Sequence, residues 1–121
     1  NLKCKKSAGT DGKNIFFNVQ ISGDMILGEI EKGTQNKLSK DDYTRLCTLA
    51  EKACSKTVSK AFNACVNAKS DALRVGKYIA RDCPTYYEDY SKDFDKNFQN
   101  VKLNVASDIK LEKISDSSQL E

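Results

Sequence analysis

A long amphipathic stretch between residues 40 and 67 limits the possible folds of this chain more than any other feature. Ser39 precedes it and Asp42 follows three residues later, which is the arrangement of a helix N-cap with an acidic first turn. The pattern predicts one long helix with one buried face, and the weak helix formers of residues 55–59 mark where a break is the alternative. The apolar residues recur at helical spacing and share that face: Tyr43, Leu46, Cys47, Ala50, Cys54, Val58, Ala61, Phe62 and Cys65.

Further helices are predicted toward the C-terminus. Ser70 and Asp71 can cap a helix that runs to Asp82, and Pro84 both ends that helix and can open the next one. In this next helix, apolar residues recur at steps of three and four: Tyr87, Tyr90, Phe94, Phe98, Val101, Val105 and Ile109.

Residues 15–21 fit two structures. The apolar residues from Ile15 to Ile21 alternate as in a β-strand, but an overlapping set fits a helical stripe that Gly33 would end. A lone strand would have no partner in an otherwise helical chain, so we favour a helix here. The residues of that stripe are Phe16, Val19, Gly23, Ile26 and Ile30.

These patterns predict an all-α fold, a small disulfide-stabilised bundle of about four helices. A chain of 121 residues is expected to form a single domain. We divide it into an N-terminal arm (1–14), a helical domain (15–110) and a polar C-terminal tail (111–121).

The five cysteines are interpreted as disulfide partners rather than as metal ligands or nucleophiles. The chain has no histidine, and its cysteines lack the close pairs that zinc sites use. Without histidine, Ser-His-Asp and Cys-His catalysis are excluded too. Reduced cysteines in the core of a cytosolic protein are the alternative to disulfides, which are typical of secreted proteins.

A helix hairpin that turns near Lys69 would place Cys54 opposite Cys83, so we predict that these two are bonded. Cys4 would then pair with Cys47 or Cys65, with Cys47 preferred and Cys65 left free. If the long helix breaks near Lys56, Cys47 and Cys65 pair instead and Cys4 remains. The odd cysteine is either buried or bonds a second chain.

The charged side chains indicate a partner surface. Two helix faces carry basic residues, and a tyrosine beside Pro84 is expected to be exposed as an interface anchor. The net charge of only +3 argues against nucleic acid, and an acidic protein surface fits better. The predicted partner-binding residues are Arg45, Lys52, Lys56, Lys60, Arg74, Lys77, Arg81 and Tyr86.

The function is predicted from the class of protein that the sequence indicates, because no sequence motif identifies it. The chain begins at Asn1 and contains no long apolar run, which predicts a secreted, extracellular chain whose signal peptide has been removed and which has no membrane span. We expect a monomer, or a dimer through the odd cysteine, with no cofactor, no metal and no enzymatic activity. The predicted function is to bind or inhibit another extracellular protein through exposed helix faces, and the alternative is a carrier of a small hydrophobic ligand in the helical core.

Overall fold

The computed structural model describes residues 2–27 and 39–113 of the chain. In that part, three strands and four helices follow one another. Their bounds are β1 (Leu2–Thr10), β2 (Ile15–Leu27), α1 (Lys40–Ala68), α2 (Val75–Asp82), α3 (Pro84–Lys92), α4 (Phe94–Asn100) and β3 (Lys102–Lys113).

The strands form one mixed sheet with β2 in the centre. β1 pairs antiparallel with β2, with Ala8 opposite Phe17, and β3 pairs parallel with β2, with Leu103 opposite the same Phe17. A parallel pair needs a long crossover connection, and the helical segment between β2 and β3 provides it. The order of elements is therefore a hairpin, a helical crossover and a third strand added beside the centre.

The hairpin between β1 and β2 turns on Asp11 and Gly12. The Asp11 carboxylate accepts hydrogen bonds from the backbone N–H groups of Lys13 (2.9 Å) and Asn14 (2.6 Å). These bonds lower the pKa of Asp11 from its ordinary value. Gly12 takes a φ of 91°, which a residue without a side chain adopts without steric cost.

The sheet buries one face under the helices. Phe17, Val19 and Ile21 of β2 alternate toward the helices, and the Phe17 ring stacks on Phe62 of α1 with centroids 6.1 Å apart. Phe98 of α4 meets the edge of Phe62 at 6.0 Å. A continuous aromatic core therefore joins the central strand, the long helix and the last helix.

The long helix α1 confirms the prediction from its periodicity and its cap. The Ser39 hydroxyl accepts from the Asp42 N–H, and the Asp42 side chain accepts from the Ser39 N–H. The helix ends at Ala68, and the capping residue Lys69 has a left-handed φ of 54°, with its backbone N–H donating to the carbonyls of Cys65 and Val66. No break occurs near Lys56.

The predicted all-α fold is wrong. The favoured helix over residues 15–33 is strand β2 as far as Leu27, and its remainder lies outside the described residues. The last predicted helix ends at Asn100, and Val101 to Ile109 then lead into and along strand β3. The segment predicted as an N-terminal arm contains β1, and β3 runs to Lys113 within the predicted tail.

The predicted disulfide bracing is also wrong. All five cysteines lie in the described part and are free thiols, including Cys54, Cys83, Cys4, Cys47 and Cys65. The hairpin register behind the Cys54–Cys83 pair required α1 to pack along α2. Instead α1 packs mainly on β3, whereas α2 packs on β1 and α3.

A membrane-spanning helix does not occur in the part that the structure describes, since none of its helices is both long and apolar enough.

Candidate functional site

A group of cations surrounds one aromatic ring where α2 meets β1. The ring is that of Tyr78, and the Arg81 guanidinium carbon lies 4.9 Å from its centroid. The ammonium groups of Lys6 and Lys77 lie 5.7 Å and 5.9 Å from the same centroid. All three distances fall within the range of cation–π attraction. We call these residues, together with Asp82, the Tyr78 cluster.

The Tyr78 cluster is held in place by Asp82. Its carboxylate accepts two hydrogen bonds from the Arg81 guanidinium (2.7 and 2.9 Å) and one from the backbone N–H of Ala8 on β1 (2.9 Å). The bonds from Arg81 and then from Ala8 hold the pKa of Asp82 below its ordinary value, and the same carboxylate raises the pKa of Arg81. Asp82 therefore ties α2 to the edge of the sheet and orients Arg81 over the ring.

Helical spacing and strand packing together assemble the cluster. Arg81 follows Tyr78 by three residues and Lys77 by four, so these side chains are neighbours on one side of α2. Lys6 comes from β1, 72 positions earlier than Tyr78, and only the packing of α2 on β1 brings it there. Three cations and one carboxylate make this surface positive.

A second feature is an apolar groove between the start of β1 and the middle of α1. It has a volume of about 350 Å³ and is open to solvent. Unlike the closed cavity of a carrier, it lies outside the aromatic core. We call it the β1–α1 groove, and it is lined by Leu2, Lys3, Cys4, Ile21, Ala53, Cys54, Thr57 and Val58.

The structure places the predicted partner-binding residues in separate groups. Arg45, Lys52, Lys56 and Lys60 are exposed along α1, and Arg45 approaches Asp42 at 4.0 Å. Arg74 is exposed at the start of α2 with a left-handed φ of 60°. Lys77 and Arg81 are the members of the predicted set that approach a common aromatic ring, that of Tyr78.

The partner-binding role of Tyr86 stays a prediction, and the two adjacent tyrosines differ in exposure. Tyr86 is half-buried against the core, whereas Tyr87 is 39% exposed. Sequence reasoning also missed Lys6 and Tyr78. The three-residue spacing of Tyr78 and Arg81 on a predicted helix could have indicated that their side chains are neighbours. The sequence around Lys6 contains no feature that indicates its approach to the Tyr78 ring.

The described residues offer little for covalent or metal chemistry. No group of three potential metal-ligating side chains occurs among them. Burial, followed by the charge of Asp82, raises the pKa of the Cys83 thiol, which is opposite to the shift that makes a cysteine nucleophilic.

Two of three comparisons relate this chain to known proteins. The family model described as "Spore germination B3/ GerAC like, C-terminal" matches residues 1–115. The crystal structure of the GerBC protein is similar in fold, with a TM-score of 0.73 and 22% sequence identity. The superposition covers 95% of this chain and 35% of that protein, so this chain spans about a third of its length. No curated protein matches the chain.

These matches correct the function predicted from the sequence. A match over almost the whole chain to a spore germination family contradicts a secreted inhibitor of an extracellular protein. It gives no support to the alternative of a hydrophobic-ligand carrier either. The similarity to GerBC agrees with the mixed fold of this chain rather than with the predicted helical bundle.

Proposed function

Since this chain belongs to the spore germination B3/GerAC-like, C-terminal family, we propose that it acts in spore germination as a protein-binding domain of a germinant receptor, without enzymatic activity. The structural observation that carries the proposal is the Tyr78 cluster, where three cations converge on one ring. The family indicates the process, which is spore germination, and the Tyr78 cluster provides a surface that can bind another protein in that process.

The chemistry of the Tyr78 cluster fits an acidic protein surface. Arg81 is already paired with Asp82, whereas Lys77 is exposed and lies over the Tyr78 ring. A carboxylate of a partner can therefore approach Lys77 and Lys6 while the aromatic ring contributes contact area. Charged groups at the rim of such a contact act mainly on the association rate and on partner choice.

The proposal includes no catalytic step, cofactor or metal. The chain has no histidine to act as a general base near neutral pH. The buried Cys83 has a raised thiol pKa. A domain that only binds another protein needs neither a general base nor a nucleophile, so the lack of histidine and the raised pKa of Cys83 are compatible with this function. Export of the chain and its monomeric state stay predictions.

Charge reversal in spores tests this function. We expect Lys77→Glu to slow germination, because an acidic partner would then meet an acidic side chain at the Tyr78 cluster. Lys77 is exposed in the first turn of α2, where glutamate is well tolerated, so folding should be retained. The measurement is the fall in optical density of spores in nutrient, with the variant replacing the spores' own protein.

Lys96→Glu is the matched control, since Lys96 is exposed on α4, away from this cluster. It makes the same charge change and should leave the rate near that of the unmodified protein. Equal rates for both variants would remove the Tyr78 cluster from the proposal. If spores that lack the protein altogether germinate normally in every nutrient, the proposed function itself is wrong.

A further inference from the structure

In each of the two outer strands of the sheet, one backbone N–H donates a hydrogen bond to a carboxylate side chain on a helix. On β1, the N–H of Ala8 donates to Asp82 and the carbonyl of Lys6 accepts from Arg81 at 3.4 Å. On β3, the N–H of Ile109 donates to Glu51 of α1 at 3.0 Å. Unpaired edge groups otherwise attract other chains, so these bonds protect the edges at those positions.

In the part of the chain that the structure describes, the protection of β1 stops at Lys6. Along an antiparallel strand, the backbone groups of alternate residues point to the same side. The bonds of Ala8 and Lys6 point away from β2, so the backbone N–H and carbonyl of Cys4 point away from it too. Among the described residues, none hydrogen-bonds the Cys4 backbone on that side, and the hydrogen bonds from α2 reach β1 at Lys6 and Ala8.

The unprotected half of β1 borders the β1–α1 groove. Leu2 and Cys4 form one wall of the groove, and Ala53, Thr57 and Val58 of α1 form the other. Leu2 is 48% exposed, and Leu49, one turn of α1 before Ala53, is 55% exposed. Free backbone groups beside an apolar groove are the two features that let a domain bind an extended peptide as an added strand.

Positive charge surrounds this half of β1. Lys3 lines the groove, and Lys56 and Lys60 are exposed on the turns of α1 that carry Thr57 and Val58. None of the residues that line the groove is acidic. A second copy of the chain fits poorly, because pairing two β1 strands would bring the lysines at positions 3, 5 and 6 of both copies together.

We propose that β1 binds an extended segment of a partner protein as an additional strand, with an apolar side chain of that segment in the β1–α1 groove. Acidic side chains of the segment alternate with the apolar ones, so they lie on the other face of the sheet, against Lys3 and Lys5 of β1. The backbone of the segment pairs with Cys4 and its neighbours, which supplies affinity, while the groove and the lysines select an apolar and acidic sequence. This surface is separate from the Tyr78 cluster, so it extends the proposed function by a second contact.

Amide exchange measured by NMR on the purified chain tests this binding. The probe is a synthetic octapeptide in which valine alternates with glutamate, and the control peptide alternates valine with lysine. At saturation, we expect exchange of the Cys4 amide to slow at least tenfold with the acidic peptide only. The amides of Lys5 and Ser7 already face β2 and should change little.

Two pairs of variants locate the binding site. Cys4→Pro removes the outward N–H at an edge position where proline is tolerated, and Cys4→Val retains that N–H. Ala53→Arg fills the groove from α1, and Ala64→Arg places the same side chain on an exposed position three turns later. We expect Cys4→Pro and Ala53→Arg to weaken peptide binding at least tenfold, and the two controls to change it less than threefold.

Three results would overturn the proposal. The acidic peptide could leave the Cys4 amide unprotected, or it could shift the resonances of Lys77 and Arg81 instead, which would assign it to the Tyr78 cluster. Alternatively, sedimentation could show concentration-dependent dimers that Ala53→Arg abolishes, which would make the occupant a second copy. None of these results would contradict the proposed function, which the Lys77→Glu experiment in spores tests, so the two proposals fail separately.

Discussion

At the scale of single residues, Tyr90 is unusual because its hydroxyl is buried without a hydrogen-bond partner in the described part of the chain. Burial, with the nearby charge of Asp71, raises the pKa of this hydroxyl. The ring itself packs against Tyr87 at 6.4 Å and Phe94 at 6.1 Å between centroids. The ring contributes packing, whereas the hydroxyl carries a desolvation cost.

We therefore expect Tyr90→Phe to raise the free energy of unfolding by about 1 kcal/mol, because it removes an unsatisfied polar group and retains the ring contacts. Urea unfolding measures this change. Tyr87→Phe is the control, since that tyrosine is exposed and its replacement should change stability little. A marked loss of stability for Tyr90→Phe would mean that the hydroxyl has a bonded partner in the folded protein.

At the scale of elements, α2 depends on a side chain that lies outside it. Arg74, directly before the helix, gives no side-chain cap, and Asp71 takes that role. The Asp71 carboxylate accepts from the N–H groups of Val75 (2.6 Å) and Gly76 (2.9 Å). Since these N–H groups have no partner within the helix, Asp71 satisfies the first turn. The position of the Tyr78 cluster follows from where α2 begins.

Asp71→Ala should lower the free energy of unfolding by about 1–2 kcal/mol, because two N–H groups of the first turn lose their acceptor. Asp71→Asn keeps one acceptor oxygen and should lose less. Chemical denaturation followed by circular dichroism measures both variants. Equal stability of Asp71→Ala and the unmodified chain would mean that solvent replaces the carboxylate without cost.

At the scale of the whole molecule, Asp82 joins the helical layer to the sheet edge. Its folded-state pKa is depressed by Arg81 and Ala8, so its contribution to stability is present above its ordinary pKa. That contribution is lost as pH falls through the folded-state pKa, where the carboxylate gains a proton. The stability of the fold at low pH therefore depends in part on one contact between distant segments.

We expect Asp82→Asn to be less stable than the unmodified chain at about pH 7, with the difference shrinking as the pH is lowered to about 2. Urea unfolding across this pH range measures the difference. Asp89→Asn is the control, because Asp89 is exposed on α3 and forms a surface ion pair with Lys92 at 3.8 Å. A difference between Asp82→Asn and the unmodified chain that persists unchanged at low pH would contradict this role of the carboxylate.

Local sequence determined α1, from the Ser39 cap to the apolar face that buries Phe62, because both signals act within a few residues along the chain. Only the tertiary structure decided that residues 15–27 form a strand. Their alternation was visible, but their partners are Leu2–Thr10 and Lys102–Lys113, and the second lies most of the chain away. The same holds for Lys6 beside Tyr78 and for the groove between β1 and α1. A strand or a surface is stabilised by contacts between distant segments, and helical periodicity and capping signals do not indicate which segments those are.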